Sequence, residues 1–221
     1  MSIEVFDYQE FSYTSIKTDS PEEIVENTAG ITRVELPAKP RFLEEMSNKG
    51  FSFVDRTLGV MINLKRTDID YKKLVRFDVH RDIPGNDVLD IALNSFPTDR
   101  RFHVRQNLDQ TTADVIIRDW VSKLNEVYVC THKDQVVGFL DLEPVGDDGK
   151  FIHLAAVKEQ YRAAGAAVSL YAFAILSAIE SGANKVYGRI SSTNTAVMNL
   201  YTHLGGSFSD PIDVYVKESK L

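Results

Sequence analysis

Residues 151–181 read FIHLAAVKEQYRAAGAAVSLYAFAILSAIES, and this stretch decides the fold. Residues 151–157 are mostly apolar and contain neither Gly nor Pro, which predicts a buried strand. The polar segment 158–162 breaks that pattern, and residues 165–179 then contain no Gly or Pro after the first position. Apolar side chains recur there at helical spacing, at Val168, Tyr171, Ala172, Ile175 and Ile179. A strand, a turn and a helix therefore follow one another.

The join between this strand and this helix consists of small residues. From Ala163 to Ala167 every side chain is a methyl group or a hydrogen atom, so a ligand can approach the backbone closely. The first N–H groups of a helix lack partners within it, and the helix dipole adds positive charge beside them. A phosphate group suits that position, and Arg162 adds a full charge. The alternative is that the small residues only let the helix pack close to the sheet.

The pattern Arg162-x-x-Gly165-x-Ala167 resembles the R/Q-x-x-G-x-G/A pyrophosphate loop of the GNAT superfamily of N-acyltransferases, which bind acetyl-CoA. It follows a strand that ends in LAAV, as the resemblance requires. The chain departs from the family pattern at Ala163, where glycine is common, and has Ala167 at the last small position. The resemblance implies that the strand end and the loop hold the pyrophosphate and the pantetheine arm.

A second segment, 191–208, reads SSTNTAVMNLYTHLGGSF and resembles the second GNAT signature, N-x-x-A-x-x-L-Y-x-x-L-G-F. Val197 replaces the usual alanine, and Gly206-Ser207 precede Phe208, where the family has phenylalanine directly after glycine. Taken alone, Tyr201 is as well explained by packing of a helix onto the sheet. Two motifs in order favour a functional tyrosine. The residues implied to bind acetyl-CoA are Ala155, Ala156, Val157, Arg162, Ala163, Ala164, Gly165, Ala166, Ala167 and Asn194.

The composition restricts the class of protein. The chain has 221 residues, 43% of them hydrophobic, which suits one large domain or two unequal ones. Its net charge is −7 with no basic run, so no footprint for nucleic acid is visible. The longest nearly apolar run, 168–179, is too short to span a bilayer. The N-terminus has no signal-peptide pattern, so we expect a cytoplasmic protein.

Cysteine and histidine usage predicts neither a disulfide nor a metal site. Cys130 is the only cysteine, which excludes an intramolecular disulfide and a cysteine-based zinc cage. It ends the strand-like run EVYVC, which favours a buried structural thiol over an acyl-carrying nucleophile. The five histidines are scattered without a paired-ligand spacing.

Residues 1–70 are predicted to form a smaller α/β accessory domain. Strands are expected at 11–17 and 31–36, with a short capped helix over 18–28 between them. Residues 40–64 read as a helix stopped at Gly50, then strand, turn and strand. That order echoes the end of the chain, so residues 1–70 read as a degenerate half-copy without a phosphate loop; chance similarity is the alternative.

Residues 71–221 are predicted to form the acetyltransferase domain. A strand around Val75–Val79 precedes helices at 86–94 and 111–124, as in GNAT domains. A hairpin around Lys133-Asp134 joins strands at 127–131 and 135–142, and 185–190 forms a later strand. The predicted fold class is α/β (α+β), a GNAT-like mixed twisted sheet with helices on both faces.

The segment Arg101-Phe102-His103, followed by Trp120-Val121, resembles the R-F-H … W-V/I segment of the TDP-fucosamine acetyltransferase group. Members of that group acetylate nucleotide-linked amino sugars and carry a shorter N-terminal domain. The resemblance implies that Arg101 and His103 bind such a substrate. Arg100, Arg101 and Arg105 can pair with a nucleotide diphosphate; the alternative is a solvated basic loop.

The resemblance also implies a mechanism. The strand ending at Val157 parts from its neighbour, an amine attacks the thioester directly, and N–H groups near Ala155–Val157 stabilise the oxyanion. Tyr201 would protonate the leaving thiolate, a step uphill by roughly 2 kcal/mol from unperturbed pKa values. His153 is the first candidate base, because strand alternation puts it on the face of Ala155 and Val157. His103 and Glu143 are the others, and a structural histidine is the alternative.

Three alternatives to amino-sugar acetylation stay open. The acceptor can be a peptide amine or an antibiotic amine, or the protein can be a non-catalytic acyl-CoA-binding regulatory module. In each enzymatic reading the partners are acetyl-CoA and an amine, without metal, nucleic acid or membrane, and we also consider a homodimer.

Overall fold

A computed structural model describes residues 1–7, 12–24, 30–95 and 110–219, with the side chains of 110–113 excepted. These residues form ten strands, six α-helices and two 3-10 helices. The strands are β1 Ser2–Asp7, β2 Ser12–Lys17, β3 Gly30–Pro37, β4 Ser52–Asn63, β5 Asp78–Asp82, β6 Val127–His132, β7 Gln135–Val145, β8 Gly149–Val157, β9 Lys185–Ser191 and β10 Gly206–Ser219. The α-helices are α1 Pro40–Asn48, α2 Asn86–Ser95, α3 Gln110–Ser122, α4 Glu159–Arg162, α5 Ala166–Glu180 and α6 Thr195–His203. The 3-10 helices are Pro21–Glu23 and Tyr71–Leu74.

The chain divides into two compact units. Unit 1 comprises Met1–Leu58, Ser191–Thr193 and Asp210–Leu221, and unit 2 comprises Gly59–Ile190 and Asn194–Ser209. Strands β4 and β10 therefore contribute residues to both units. The domain boundary predicted at residue 70 remains a prediction.

Unit 1 has the strand order β1-β2-β3-β10-β4. β1 is antiparallel to β2, β2 is parallel to β3, and β3 is antiparallel to β10. β2 and β3 match the predicted strands, whereas the sequence analysis missed β1, which exposes about half of Ile3 and Val5. The core is one cluster of buried side chains: Ile16, Ile24, Val34, Leu36, Phe42, Met46, Phe51 and Tyr215.

Two local predictions for unit 1 need correction. The turn expected between two strands is absent, since β4 is one strand of 12 residues. Its polar centre is held from the side: Arg56 makes two hydrogen bonds to Asp213, of 2.6 and 2.9 Å, and the Ser191 hydroxyl donates to Asp55 at 2.9 Å. The helix expected over 18–28 is described only as the 3-10 turn Pro21–Glu23, and 25–29 lie outside the described residues.

Unit 2 has the strand order β10-β4-β9-β8-β7-β6-β5. β5 to β8 are successively antiparallel, whereas β8 and β9 are parallel. The hairpin turn lies at Lys133-Asp134 as predicted, and both residues have the positive φ of a tight hairpin turn, 51° and 62°. The strand predicted around Val75–Val79 begins only at Asp78; a 3-10 helix occupies Tyr71–Leu74, and 75–77 connect it to the strand. The mixed α/β fold class is confirmed.

Helices α5 and α6 lie on one face of this sheet. The Tyr128 hydroxyl of β6 contacts the Ser177 hydroxyl of α5 at 2.6 Å, so α5 covers the face to which Tyr128 points. The rings of Tyr171 in α5 and Tyr201 in α6 meet edge to face, with centroids 5.4 Å apart. This contact sets the position of α6 beside α5.

Candidate active site

Strand β8 parts from β9 before it ends. The parallel pairing runs from Gly149–Lys185 to Ile152–Gly188, and β8 continues to Val157. On its other side β8 stays paired with β7 up to Gly138–Val157. Residues 153–157, which we call the open edge, therefore point their β9-side backbone groups into a gap between two described strands. A parting of the two strands was expected from the sequence.

A bulge in β8 determines which side chains share a face. Leu140 pairs with Ala155 and Leu142 with Ile152, so one residue of β7 opposes two of β8, and the extra residue is in β8. Paired residues project to the same face. Around the bulge, successive side chains of β8 therefore no longer alternate regularly between the two faces of the sheet.

His153 lies on the face opposite to Ala155. Its Nε2 is 3.0 Å from Oε2 of Glu143, and its ring centroid is 4.5 Å from that of Phe151. Glu143 pairs with Phe151, so His153 belongs to their face, whereas Ala155 shares the face of Leu140. The expectation that His153 shares the face of Ala155 and Val157 is wrong, because the bulge shifts the alternation by one residue.

Two of the three candidate bases thus come together. His153 and Glu143 are in contact, and each side chain is about half exposed, at 49% and 51%. Half-exposure keeps a path for a proton to bulk water. His103 lies outside the described residues, as do Arg100, Arg101 and Arg105.

Asp141 is a buried acid that the sequence analysis missed. It lies on β7 two residues before Glu143, so both carboxylates are on the His153 face. Only 3% of Asp141 is exposed, and its Oδ2 has no hydrogen-bond partner within the described part of the chain. Burial, and then the nearby charge of Glu143, raise the pKa of Asp141 to about 6. A lone acid in the apolar run VVGFLDL was the available signal.

Tyr201 reaches the point where the strands part. It is 1% exposed in α6, and its hydroxyl lies against Gly188, the last β9 residue paired with β8. A Cβ built on Gly188 would collide with that hydroxyl and lie 3.2 Å from Cζ of Tyr201. Gly188 is therefore a second residue missed from sequence; a glycine inside a strand indicates close approach of another group.

Asn194 caps the N-terminus of α6. Its side-chain Oδ1 accepts a hydrogen bond from the N–H of Val197 at 3.2 Å, which is an N-cap contact. The role predicted for Asn194 was acetyl-CoA binding, and that stays a prediction. The cap fixes the start of the helix that carries Tyr201.

The small-residue loop follows a short helix, α4, and contains one left-handed residue before α5 begins. Gly165 has φ 88° and caps α5, and a Cβ on it would meet no atom within 4 Å. The N–H of Ala164 donates to Tyr161 at 3.2 Å, and the first bond that enters α5 runs from Ser169 to Gly165 at 3.0 Å. The N–H groups from Gly165 to Val168 precede that bond.

Arg162 ties this loop to the strand before it. Its Nε donates to the carbonyl oxygen of Val157 at 2.9 Å. The guanidinium thus holds the end of β8 next to the start of the loop. Of the N–H groups expected to bind the pyrophosphate, Ala163–Ala167, those of Ala163 and Ala164 already donate to the carbonyl oxygen of Tyr161. The N–H group of Val168, which was not in the expected set, also precedes the first bond of α5.

Cys130 has the properties of a structural thiol. It is fully buried in β6 between Val79 and Gly138. Burial raises the pKa of Cys130 to about 11, so the reactive thiolate is suppressed. Among the described residues, no group of three or more His, Cys, Asp or Glu side chains is placed to hold a metal ion. No helix there has the length and apolarity to cross a membrane.

The sequence itself matches a known family. Residues 87–205 match the Acetyltransferase (GNAT) family, and this range is more than half of the chain. The protein therefore belongs to the GNAT acetyltransferase family, whose co-substrate is acetyl-CoA. The match begins in α2 and ends directly after α6, so it contains the open edge, the loop and Tyr201.

Solved structures share the fold at low sequence identity. A GCN5-related N-acetyltransferase from Sphaerobacter thermophilus aligns at TM-score 0.58 and 15% identity, over 88% of this chain and 62% of that one. A tandem GNAT protein of clavulanic acid biosynthesis aligns at 0.55 and 12%, over 86% and 65%. The glucosamine N-acetyltransferase region of a fungal GH3 β-N-acetylglucosaminidase aligns at 0.62 and 10%, over 97% and 31%. The comparison with curated protein sequences gave no match.

Proposed function

We propose that this protein transfers an acetyl group from acetyl-CoA to a primary amine by direct attack. The observation that carries the proposal is the meeting of Tyr201 with Gly188 at the point where β8 leaves β9. A thioester lying in that gap has a buried hydroxyl on one side and unpaired backbone groups on the other. Both are the groups that direct acyl transfer uses.

Backbone groups of the open edge and of the start of α5 are suited to bind acetyl-CoA. The pantetheine arm carries amides, which can bond the open edge 153–157 as a neighbouring strand would. The pyrophosphate then reaches the N–H groups of Gly165–Val168 at the start of α5, where the helix dipole favours negative charge. Arg162 keeps the two binding segments adjacent through its bond to Val157.

The chemistry requires one donor and one acceptor of protons. As the nitrogen adds to the thioester carbonyl, N–H groups of the open edge stabilise the oxyanion. When the C–S bond breaks, Tyr201 gives its proton to the sulfur, and a fixed hydrogen bond offsets the cost of roughly 2 kcal/mol. His153, held by Glu143 at 3.0 Å, takes the proton that the amine loses and passes it to water.

For the acceptor we propose an amino sugar. Support comes from the Arg101-Phe102-His103 segment in the sequence and from the printed activity of the fungal structural relative, a glucosamine N-acetyltransferase. A peptide amine or an antibiotic amine is the second candidate. The cytoplasmic location and the homodimer remain predictions from the sequence alone.

For residues 1–70 we propose a degenerate half-copy of the acetyltransferase fold that binds no acetyl-CoA. The tandem GNAT relative offers a precedent for two such folds in one chain. The connectivity of unit 1 supports this proposal, because β2 is parallel to β3 as β8 is parallel to β9.

The decisive experiment measures thiol release from acetyl-CoA in the presence of amines. Glucosamine, nucleotide-linked amino sugars, a lysine peptide and an aminoglycoside are tested in parallel. Release that depends on the amine separates an enzyme from a binding module, whereas acetyl-CoA binding without transfer to any amine contradicts the proposal.

Tyr201→Phe keeps the ring and removes only the hydroxyl. We expect acetyl-CoA affinity near that of the wild type and a loss of roughly 10²–10⁴-fold in single-turnover transfer. Tyr71→Phe is the matched control, because the Tyr71 hydroxyl is also buried and bonds the carbonyl of Leu204 at 2.9 Å, beyond the end of α6. A wild-type transfer rate in Tyr201→Phe across the pH range would assign Tyr201 to packing.

A further inference from the structure

The sheet face that carries His153 is buried toward the end of β8 and exposed toward its start. On β7, Phe139 and Glu143 both project to this face. Phe139 and its β8 partner Ala156 are buried, whereas Glu143 and its partner Phe151 are half-exposed and half-buried. Within the described part of the chain, an amine that reaches His153 therefore has open surface beside it on the Phe151 side.

Tyr187 of β9 extends this open surface across the next strand. It pairs with Phe151, so both side chains project to the same face. A Cβ built on Gly149 would lie 2.9 Å from Cε2 of Tyr187 and 3.1 Å from Cγ1 of Val145. The ring of Tyr187 thus occupies the space beside Gly149, and a glycine inside a strand marks such a close approach.

Three rings therefore follow one another on this face, those of Tyr187, Phe151 and His153, and we call them the aromatic shelf. The centroids of Phe151 and His153 are 4.5 Å apart. Tyr187 and Phe151 are half-buried, and His153 is 49% exposed. Glu143 lies at the border of the shelf, with Oε2 3.0 Å from Nε2 of His153. Accessible aromatic surface with a few polar groups is typical of small-molecule sites.

The backbone beneath the shelf argues against an extended peptide as its ligand. Such a peptide gains affinity by pairing with a free sheet edge. Residues 149–152 of β8, however, pair with β7 on one side and with β9 on the other. A sugar ring needs no backbone edge, because its C–H face packs on an aromatic ring and its hydroxyl groups donate to a carboxylate.

We propose that Tyr187 and Phe151 bind the acceptor by packing against the ring of an amino sugar, whose amino group then lies at His153. This inference rests on the proposed function and adds the residues that select the acceptor. A ring hydroxyl of the sugar donates to Glu143. Tyr201 reaches the gap from the face of α5 and α6, so the acceptor and the proton donor for the thiolate use opposite faces of the sheet.

The test measures transfer by Tyr187→Leu at saturating acetyl-CoA, with glucosamine and its nucleotide-linked form as probes. Leucine keeps an apolar side chain but has no flat ring. We expect the KM for the better of the two sugars to rise about fivefold or more. The kcat and the Kd for acetyl-CoA should stay within about twofold of the wild type. A purely structural role of Tyr187 predicts a lower kcat or a weaker acetyl-CoA affinity instead.

Three further variants complete the test. Tyr187→Phe keeps the ring and should retain the wild-type KM for the sugar, whereas Phe151→Leu should raise that KM as Tyr187→Leu does. Phe53→Leu is the matched control, because Phe53 is an accessible aromatic residue, 47% exposed, that lies in unit 1. Its KM for the sugar should not change.

The failure of this inference and that of the proposed function give different results. If folded Tyr187→Leu and Phe151→Leu proteins both keep the wild-type KM for the sugar, or if the wild type acetylates a peptide but neither sugar, the aromatic shelf does not bind the acceptor and transfer to an amine stands. If the wild type binds acetyl-CoA and acetylates no amine, the proposed function fails and the inference fails with it.

Discussion

Units 1 and 2 have the same order of strand pairings around one parallel strand pair, although only a 3-10 helix is described between β2 and β3, where α4 and α5 join β8 to β9. In unit 1, β1 is antiparallel to β2, β2 is parallel to β3, and α1 leads on to β4. In unit 2, β7 is antiparallel to β8, β8 is parallel to β9, and α6 leads on to β10. This agreement supports the proposed half-copy more strongly than the slight sequence echo does.

The two parallel pairs differ in where their pairing ends. β2 pairs with β3 from Tyr13–Ile31 to Lys17–Glu35, which is the last residue of β2. β8 loses β9 after Ile152 and continues for five residues. We call β2–β3 the closed pair, because the two strands stay paired to the end of β2. We call β8–β9 the open pair, because residues 153–157 of β8 do not pair with β9 and can bond a ligand instead. Under the proposed function, the early end of the β8–β9 pairing is what leaves room for the pantetheine arm of acetyl-CoA.

Two glycines, Gly30 beside the closed pair and Gly165 after β8 of the open pair, differ in the space around them. Both Gly30 and Gly165 have a positive φ, 91° and 88°. A Cβ on Gly30 would collide with the carbonyl oxygen of Ser12, whereas a Cβ on Gly165 would meet nothing within 4 Å. The space at Gly30 is filled by the chain itself, and the space at Gly165 is open to a ligand.

The largest expected effect comes from closing the gap in unit 2 at Gly188. Gly188→Val places a side chain where the Tyr201 hydroxyl lies, so the hydroxyl must move. We expect single-turnover transfer to fall by roughly 10²–10⁴-fold, as for loss of the proton donor. Gly85→Val is the control, because a Cβ there meets no atom within 4 Å and the residue has no positive φ. Normal transfer in a folded Gly188→Val protein would separate Tyr201 from the chemistry.

The second prediction concerns pH and the buried carboxylate of Asp141, with the buried carboxylate of Asp55 as its comparison. Because the pKa of Asp141 is raised to about 6 from 3.8, the folded state binds a proton more tightly than the unfolded state does. As the pH rises from 3.8 to about 6, ionisation of Asp141 therefore lowers the free energy of unfolding, by at most about 3 kcal/mol. Asp141→Asn should remove that part of the pH dependence, whereas Asp55→Asn in unit 1 should leave it. Chemical denaturation between about pH 4.5 and 7.5 measures it; identical curves for wild type and Asp141→Asn would contradict the assignment.

The third prediction tests the loop at the open pair. Gly165→Val should weaken acetyl-CoA binding by about tenfold or more, or about 1.4 kcal/mol, without unfolding the chain. Gly182→Val is a close control: Gly182 has φ 81°, open space around it, and lies just beyond the other end of α5. Titration calorimetry with acetyl-CoA compares the two, and equal affinities would remove the loop from the binding site.

The smallest expected effect lies in the closed pair. Gly30→Ala should lower the unfolding temperature, because both its φ and its contact with Ser12 oppose a side chain. Acetyl-CoA affinity should stay within about twofold of the wild type, since unit 1 is proposed to bind none. A strong loss of affinity in this folded variant would show that unit 1 takes part in binding.

Local sequence signals predicted the elements that local geometry determines. Helix α5, the small-residue loop and the Lys133-Asp134 hairpin each follow from residue types within a few positions. Tyr201 was found because a motif surrounds it. The single long β4 was not predicted, because the distant partners of its polar residues Asp55 and Arg56, Ser191 and Asp213, are not visible in the local sequence.

The missed parts of the candidate site arise from contacts between strands. The bulge that moves His153 to the Glu143 face is a property of the β7–β8 register, which periodicity within one strand does not contain. Gly188 and Asp141 look like an ordinary strand glycine and an ordinary acid until Tyr201 and the burial of β7 are placed beside them. The position of a side chain that depends on pairing with a distant strand cannot be predicted from one sequence.

The early end of the β8–β9 pairing has an evolutionary consequence. If β8 and β9 also paired from His153 onward, the open pair would become a closed pair. No residue of the small-residue loop would change, and neither would Tyr201. A relative could then lose its activity through a small shift in strand twist while every recognisable motif persisted. If the proposed function holds, the motifs alone do not guarantee activity, and hydrogen exchange at the backbone of 153–157 would distinguish an open pair from a closed one.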